Sequence, residues 1–562
     1  MTVTLLELDL TAPLLETPPQ DPLSAALARR RPVLHDVVEG LRIAASDPDV
    51  AGLVAHVGGH ALSLAQIQEL RAAVRRFAAT GKVTVAWTET FGELGPGTLP
   101  YYLASAFDEI WLQPSGDVGL TGVVAEAVFL KEALGKLGVH PQLSRRHEYK
   151  SAADTFLASQ MTDAHREAAS RLAASAMEHI VTGIAECRGL APERVRALID
   201  EAPLSASDAK DAGLVDRLAY RAEVYEHLRR RLGEVRLRFV HRYVRSKLME
   251  PRRVLTRLAH RPVVAVVHGA GSIHLGRSSR RGLSTSIGSD TLGATLRRAA
   301  RDPRVRAVVL RVDSGGGSYV ASDAIRHEVR RVREAGKPLV VSMASVAASG
   351  GYFISMAADS ILAQPGTLTG SIGVLGGKVV VRDLLDRLGI TRDGVTEGRH
   401  AWMFSSYRAF SEEEWQRLEH WLDQVYDDFT AKVAADRGLS REQVEESARG
   451  RVWTGADAQA RGLVDELGGL ERAVEVACAR AGVSREEVDV RALPHLSLAE
   501  RVRGPESTDD LAASAAVGPT TRLTSLLVTP PGSAQRPLDV LTDLLGVPRL
   551  GVLTTPVLWD LR

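Results

Sequence analysis

Two cysteines in 562 residues, Cys187 and Cys478, are too few and too far apart for a disulfide framework or a thiolate metal site. Both sit in Ala-rich, helix-like contexts and read as buried free thiols. No run of about 18 uncharged apolar residues occurs, so no membrane-spanning helix is expected. The first twenty residues, MTVTLLELDLTAPLLETPPQ, lack a basic stretch followed by an apolar core and do not read as a signal peptide. A surplus of either charge is missing too. Seventy basic and 69 acidic side chains leave a formal net charge of +1, which gives no argument for nucleic acid as a partner. Lysine is scarce: only nine of the 70 basic residues are lysine.

What is present is a globular composition, 45% hydrophobic and 25% charged, in a chain too long for one core. It is written twice. Asp47-Pro48-Asp49-Val50 is answered by Asp302-Pro303-Arg304-Val305, and Gly81-Lys82 by Gly336-Lys337. Tyr101–Pro114 (YYLASAFDEIWLQP) returns as Tyr352–Pro365 (YFISMAADSILAQP), offset by 251 residues, and Ser207–Leu218 returns as Ala456–Leu467. Each copy alternates short apolar strands with helical stretches, the pattern of βαβ units on a largely parallel sheet. Four segments follow: an N-terminal repeat over 1–228, a basic linking helix with a solvated Arg face over 229–261, a C-terminal repeat over 262–491, and a tail over 492–562.

The most informative stretch is Val340–Val374. An apolar strand leads through small residues to Ser349-Gly350-Gly351, and a helical run follows from Tyr352 to Ala358. A serine on a tight strand–helix turn exposes its hydroxyl, and the helix N-terminus behind it offers free N–H groups to an anion. That is acyl-transfer geometry, although a small-residue packing turn has the same spelling.

Such a serine needs a base, and arginine cannot deprotonate where a desolvated lysine can. Lys82 and Lys337 precede strands and look like surface positions. Lys131, Lys136, Lys210 and Lys432 fall on amphipathic helices, Lys247 in the basic segment, and Lys378 after Gly376-Gly377 is a weak candidate. Lys150, in His147-Glu148-Tyr149-Lys150-Ser151, stands between a strand-like segment and a helix. The 251-residue offset places Ser349 on Thr98 and Lys150 on Ala401, so each copy keeps half of a dyad. His147 and His400, near the lysine slot in the two copies, read as ordinary polar positions.

Five motifs carry a family resemblance: EYKSA (Glu148–Ala152), DSGGGS (Asp313–Ser318), AASGGYF (Ala347–Phe353), LTGSIGV (Leu368–Val374) and WTGADAQARGLVD (Trp453–Asp465). On these, in one order over roughly residues 35–490, the chain resembles signal peptide peptidase A in its long, tandem-repeat form, a Ser/Lys-dyad protease family. The resemblance implies an α/β fold of two tandem crotonase-like/Clp-like βαβ spiral cores. It implies Ser349 as nucleophile, Lys150 as general base, and Ser371 as the group orienting the lysine. The backbone N–H groups of Gly316 and Gly350 would form the oxyanion hole. No metal, nucleotide or other cofactor is implied. Substrates would be signal peptides or other short apolar peptides, and the assembly a homo-oligomer, a dome-shaped tetramer in the family.

Two departures stand out. Gly315 takes a position where family members carry proline, and the membrane anchor of long-form members has no counterpart in this sequence. The expected setting is therefore cytoplasmic, or peripheral at a membrane. Two other readings compete: a crotonase-type acyl-CoA enzyme, which would want carboxylates near the oxyanion loops, where Asp313 is the one nearby, and a catalytically silent scaffold or membrane-associated adaptor.

Overall fold

The computed structural model describes residues 3–18, 31–59, 62–248, 261–281, 284–493, 553–554 and 560–561. The apolar pieces 523–528 and 540–547 of the expected tail lie outside them.

The duplication is visible as two sheets of the same strand order. The first runs Val235–Phe239, Val3–Leu10, Val50–Val57, Val83–Thr88, Glu109–Leu112 and Arg217–Leu218, all parallel. The second repeats the order with Asp489–Leu493, Val263–Ala270, Val305–Ser314, Leu339–Ala348, Ser360–Ala363 and Glu466–Leu467, and adds Leu368–Gly370 and Val452–Thr454 beside the long central strand. Central strands such as Val340-Val341 and Val308-Val309 are buried on both faces, as parallel sheets covered by helices require. No helix among the described residues is long and apolar enough to cross a membrane.

The basic segment differs from the linking helix expected of it. Val235–Phe239 is a strand that pairs with Val3–Leu10, in the place Asp489–Leu493 holds in the second sheet. Val240–Leu248 then packs Val240, Tyr243 and Val244 into the first core. Arginines alternate with apolar residues because this is an edge strand, exposed on one face.

Lys82 and Lys337 also differ from expectation. Each is half-buried and donates to the last carbonyls of a helix: Lys82 Nζ to the oxygens of Ala44 (2.5 Å) and Asp47 (2.6 Å), Lys337 Nζ to those of Ala299 (2.8 Å) and Asp302 (2.6 Å). A cation at a helix C-terminus satisfies orphan carbonyls and complements the dipole, which explains why both copies keep one there.

The two repeats interlock. His140–Arg145 of the first pairs antiparallel with Leu375–Val380 of the second. Arg311, 2% exposed, sits between Glu16 (2.6 Å) and Glu69 (2.9 Å) of the first repeat and donates to Ser342 Oγ at 2.8 Å. Arg171 spans to Asp457 at 2.8 Å, and Gln68 accepts from the Gly366 amide at 2.7 Å. These bonds set the relative position of the repeats, and with it the distance between the two halves of the site.

Candidate active site

Ser349 ends the strand Leu339–Ala348 and is the N-cap of a one-turn helix, Gly350–Phe353. The helix is shorter than the run expected from Tyr352 to Ala358, because the chain passes into turns after Phe353. Ser349 has φ 53° and ψ −113°, a conformation that costs free energy in a non-glycine residue and persists where its surroundings over-determine it. Here the Ser349 N–H donates to the Gly370 carbonyl at 2.8 Å, and its own carbonyl accepts from Phe353 at 2.9 Å. Small residues are obligatory behind it. A Cβ on Gly351 would stand 2.3 Å from the Ser314 carbonyl oxygen, and one on Gly350 3.0 Å from Gly316 Cα.

Lys150 comes from the other repeat. It follows the strand His140–Arg145 and caps the short turn Ser151–Ala153. Its side chain is fully buried, with Nζ 2.7 Å from Ser349 Oγ, 2.9 Å from the Ser371 carbonyl oxygen and 3.0 Å from Ser371 Oγ. All three neighbours are uncharged. Burial pushes the amine well below the usual lysine value of 10.5.

The lysine's approach depends on glycine. Gly450 has φ +85°, and any Cβ there would lie 2.6 to 2.7 Å from the Lys150 N, Cα and Cβ atoms. The backbone of Lys150 is held by Arg145, whose Nη1 donates to the Lys150 carbonyl at 3.3 Å and is paired with Asp154. Neither Gly450 nor this clamp was legible beforehand, since no local pattern links position 450 to position 150.

The glycine loop lies beside the serine turn. Gly316 and Gly317 form a short strand with φ +102° and +153°, against Ile273 on one side. The Gly316 N–H donates to Ser314 Oγ at 3.1 Å. Asp313, the carboxylate on which a crotonase-type reading would depend, accepts from the Val346 amide at 3.1 Å, and burial raises it to about 6.

Among its described residues the first copy shows no second serine at the matching turn. Its equivalent turn has Gly97, not Thr98, at the N-cap, and the Gly97 N–H donates to Gly119 as Ser349 does to Gly370. A Cβ on Gly97 would be 1.7 Å from the Phe91 carbonyl oxygen, so no serine fits there. The offset misassigned this position by one residue because Tyr101 stands four positions after its cap whereas Tyr352 stands three after Ser349. Ala401, in the lysine slot of the second copy, is exposed. His147 lies 3.7 Å from Glu445 and His400 3.4 Å from Glu413. Lys378, the weak candidate, donates to the Met403 carbonyl at 2.7 Å over the Phe410 ring, and burial lowers it to about 8. Cys187 and Cys478 are free thiols, the second buried and the first half-buried.

Comparison with known proteins gives two matches to peptidase family S49, over residues 77–235 and 331–484. The first spans Lys150 and the second Ser349 and Ser371. Protease 4 of Salmonella typhi is 35% identical over 472 residues, covering 81% of this chain and 73% of its own. The chloroplastic serine protease SPPA of Arabidopsis thaliana is 30% identical over 452 residues, 80% of this chain and 66% of its own. Protease 4 of Haemophilus influenzae is 34% identical over 461 residues, 79% and 72% of the two chains. Among solved structures, a ClpP1 mutant from Listeria monocytogenes covers 39% of this chain and 98% of its own at 16% identity, with a TM-score of 0.24, too low to bear on the fold.

Proposed function

The chain belongs to peptidase family S49 and is a serine-type peptidase, and from that premise we propose that it cleaves signal peptides or other short apolar peptides with a Ser349–Lys150 dyad. The observation that carries the reading is the 2.7 Å approach of a buried, uncharged-neighboured lysine nitrogen to the Ser349 hydroxyl. A neutral amine has two N–H donors and one lone pair. The donors go to the Ser371 carbonyl and hydroxyl oxygens, which leaves the lone pair facing Ser349.

In acylation, Lys150 takes the Ser349 proton as Oγ bonds to the peptide carbonyl carbon. The resulting oxyanion lies by the Gly350 and Gly316 amides, the latter exchanging Ser314 Oγ for a charged acceptor. One such donor contributes about 3–4 kcal/mol to the transition state. The C–N bond then breaks, and the leaving amine receives the proton from Lys150. Water, deprotonated by Lys150, attacks the acyl-serine ester, releasing the acid and regenerating Ser349. We propose a homo-oligomer, a tetramer as in the family, as the working form. The intact geometry favours this reading over a silent scaffold.

The test is hydrolysis of fluorogenic apolar peptides by the wild type, Ser349→Ala and Lys150→Ala. Both variants are expected to lose activity while staying folded. Activity surviving in Ser349→Ala overturns the mechanism.

A further inference from the structure

The strand that carries the nucleophile is irregular just before it. Val312 pairs with Met343, yet Ser314 pairs with Ala347, so Ala344, Ser345 and Val346 together stand opposite Asp313 alone. A bulge of this kind bends its strand and re-aims the residues beyond it, here Ala347, Ala348 and Ser349. Its polar groups are held one by one. Thr367 Oγ1 donates to the Ala344 carbonyl at 2.7 Å, and Ser345 Oγ lies 2.7 Å from Ser63 Oγ. Ser63 is the N-cap of the helix Leu64–Ala78 in the first repeat, the repeat that supplies Lys150. The Val346 N–H donates to Asp313 Oδ1 at 3.1 Å.

Asp313 is itself fixed. Its backbone carbonyl accepts from the Gly271 amide at 2.9 Å, and the adjacent Ser314 Oγ donates to the Gly271 carbonyl at 2.7 Å. Asp313 stands three residues before Gly316, and Val346 three residues before Ser349. The carboxylate therefore joins two short arms, one ending at the proposed oxyanion donor and the other at the nucleophile. Tolerance between the arms is small: a Cβ on Gly350 would be 3.0 Å from Gly316 Cα and 3.1 Å from the Gly317 nitrogen. A charge at this place works against Glu16, its like-charged neighbour, with Arg311 as the countercharge. What it gives in return is a stronger bond to the bulge than a neutral acceptor forms.

We propose that Asp313 is a positioning residue for acyl transfer: through the Val346 amide it fixes the distance between Ser349 Oγ and the Gly316 N–H. This role rests on the peptidase reading above. The oxyanion must meet its donor while Oγ meets the carbonyl carbon, and a misplacement of about 1 Å costs on the order of a hundredfold in rate. Ground-state binding of the peptide does not use that distance, so the loss falls on kcat and spares KM.

The experiment is steady-state hydrolysis of a fluorogenic apolar peptide by the full chain, as wild type, Asp313→Ala, Asp313→Asn and Ser349→Ala. Amide hydrogen exchange is read alongside by mass spectrometry on a fragment spanning residues 344–349. Asp313→Ala is expected to lose about 10²-fold in kcat with KM within about twofold. Asp313→Asn, which keeps a neutral acceptor, should recover about tenfold of that loss. Exchange in the fragment should quicken in the same order, fastest in Asp313→Ala and slowest in the wild type. Should Asp313→Ala not fold, Asp313→Asn carries the test, with about a tenfold loss in kcat expected. A kcat per folded molecule equal to that of the wild type overturns the role, and so does a loss in kcat with exchange in the fragment unchanged. A wild type that leaves the peptide intact, or a Ser349→Ala that cleaves it, overturns the peptidase reading and this role with it. An active wild type matched by its Asp313 variants overturns this role alone.

Discussion

Replacing Lys150 with methionine separates the lysine's chemistry from its cost. The side chain is fully buried, and the oxygens within 3.0 Å of its nitrogen belong to two serines. Burial holds the amine well below 10.5 in the native state, whereas in the unfolded chain it takes a proton below about 10.4. Between the native value and that of the unfolded chain, the unfolded state binds more protons. Stability is therefore fully present above the unfolded pKa, falls as pH falls through the window, and levels off below the native pKa. The slope within the window approaches about 1.4 kcal/mol per pH unit. Lys150→Met lacks that slope. It also strands the Ser349 and Ser371 hydroxyls, at about 1–3 kcal/mol each, so the test is the change with pH and not the ranking at one pH. Urea unfolding from pH 7 to 10.5 is expected to show the wild type gaining on Lys150→Met as pH rises. Peptide hydrolysis should fall about 10²–10⁴-fold, the usual contribution of a general base. Parallel stability curves for the two proteins refute the argument that the lysine is buried neutral.

Three further perturbations follow from the same geometry. Gly316→Ala forces a side chain onto a φ of +102° and against the Gly350 amide, and should cut kcat about 10²–10³-fold, checked by steady-state kinetics beside an unchanged far-UV spectrum. Ser371→Ala removes an oxygen that favours the charged lysine, so the rising limb of the pH–rate profile should move to lower pH and the plateau drop roughly fivefold. Arg311→Leu leaves Glu16 and Glu69 buried and unpaired between the repeats and should destabilise the chain by about 3–5 kcal/mol in denaturant unfolding.

Much of the fold was legible because the sequence repeats itself in register. Matching strands such as Glu109–Leu112 and Ser360–Ala363 occupy matching places in the two sheets. Ser349, Lys150 and Ser371 were legible through motifs, and the structure brings both serines within 3.0 Å of the Lys150 nitrogen. Other features were hidden for physical reasons. Val235–Phe239 carries arginines because its solvent face is open, so its charge outweighed its alternation. Lys82 and Lys337 looked exposed because a capped carbonyl leaves no mark on the lysine's own neighbours in sequence. Gly450 against Lys150, Arg311 against Glu16 and Leu553 against Gly316 join positions hundreds of residues apart, and hydrophobic periodicity is local.

The central claim is that a neutral Lys150 deprotonates Ser349. The measurement that meets it most directly is kcat/KM of the wild type for a fluorogenic apolar peptide across pH 6–10.5. A single ionisation, with activity rising as the base loses its proton and reaching a plateau well below 10.5, is the result the buried amine predicts. A rise centred at the ordinary lysine value, or a profile that Lys150→Ala reproduces, contradicts it.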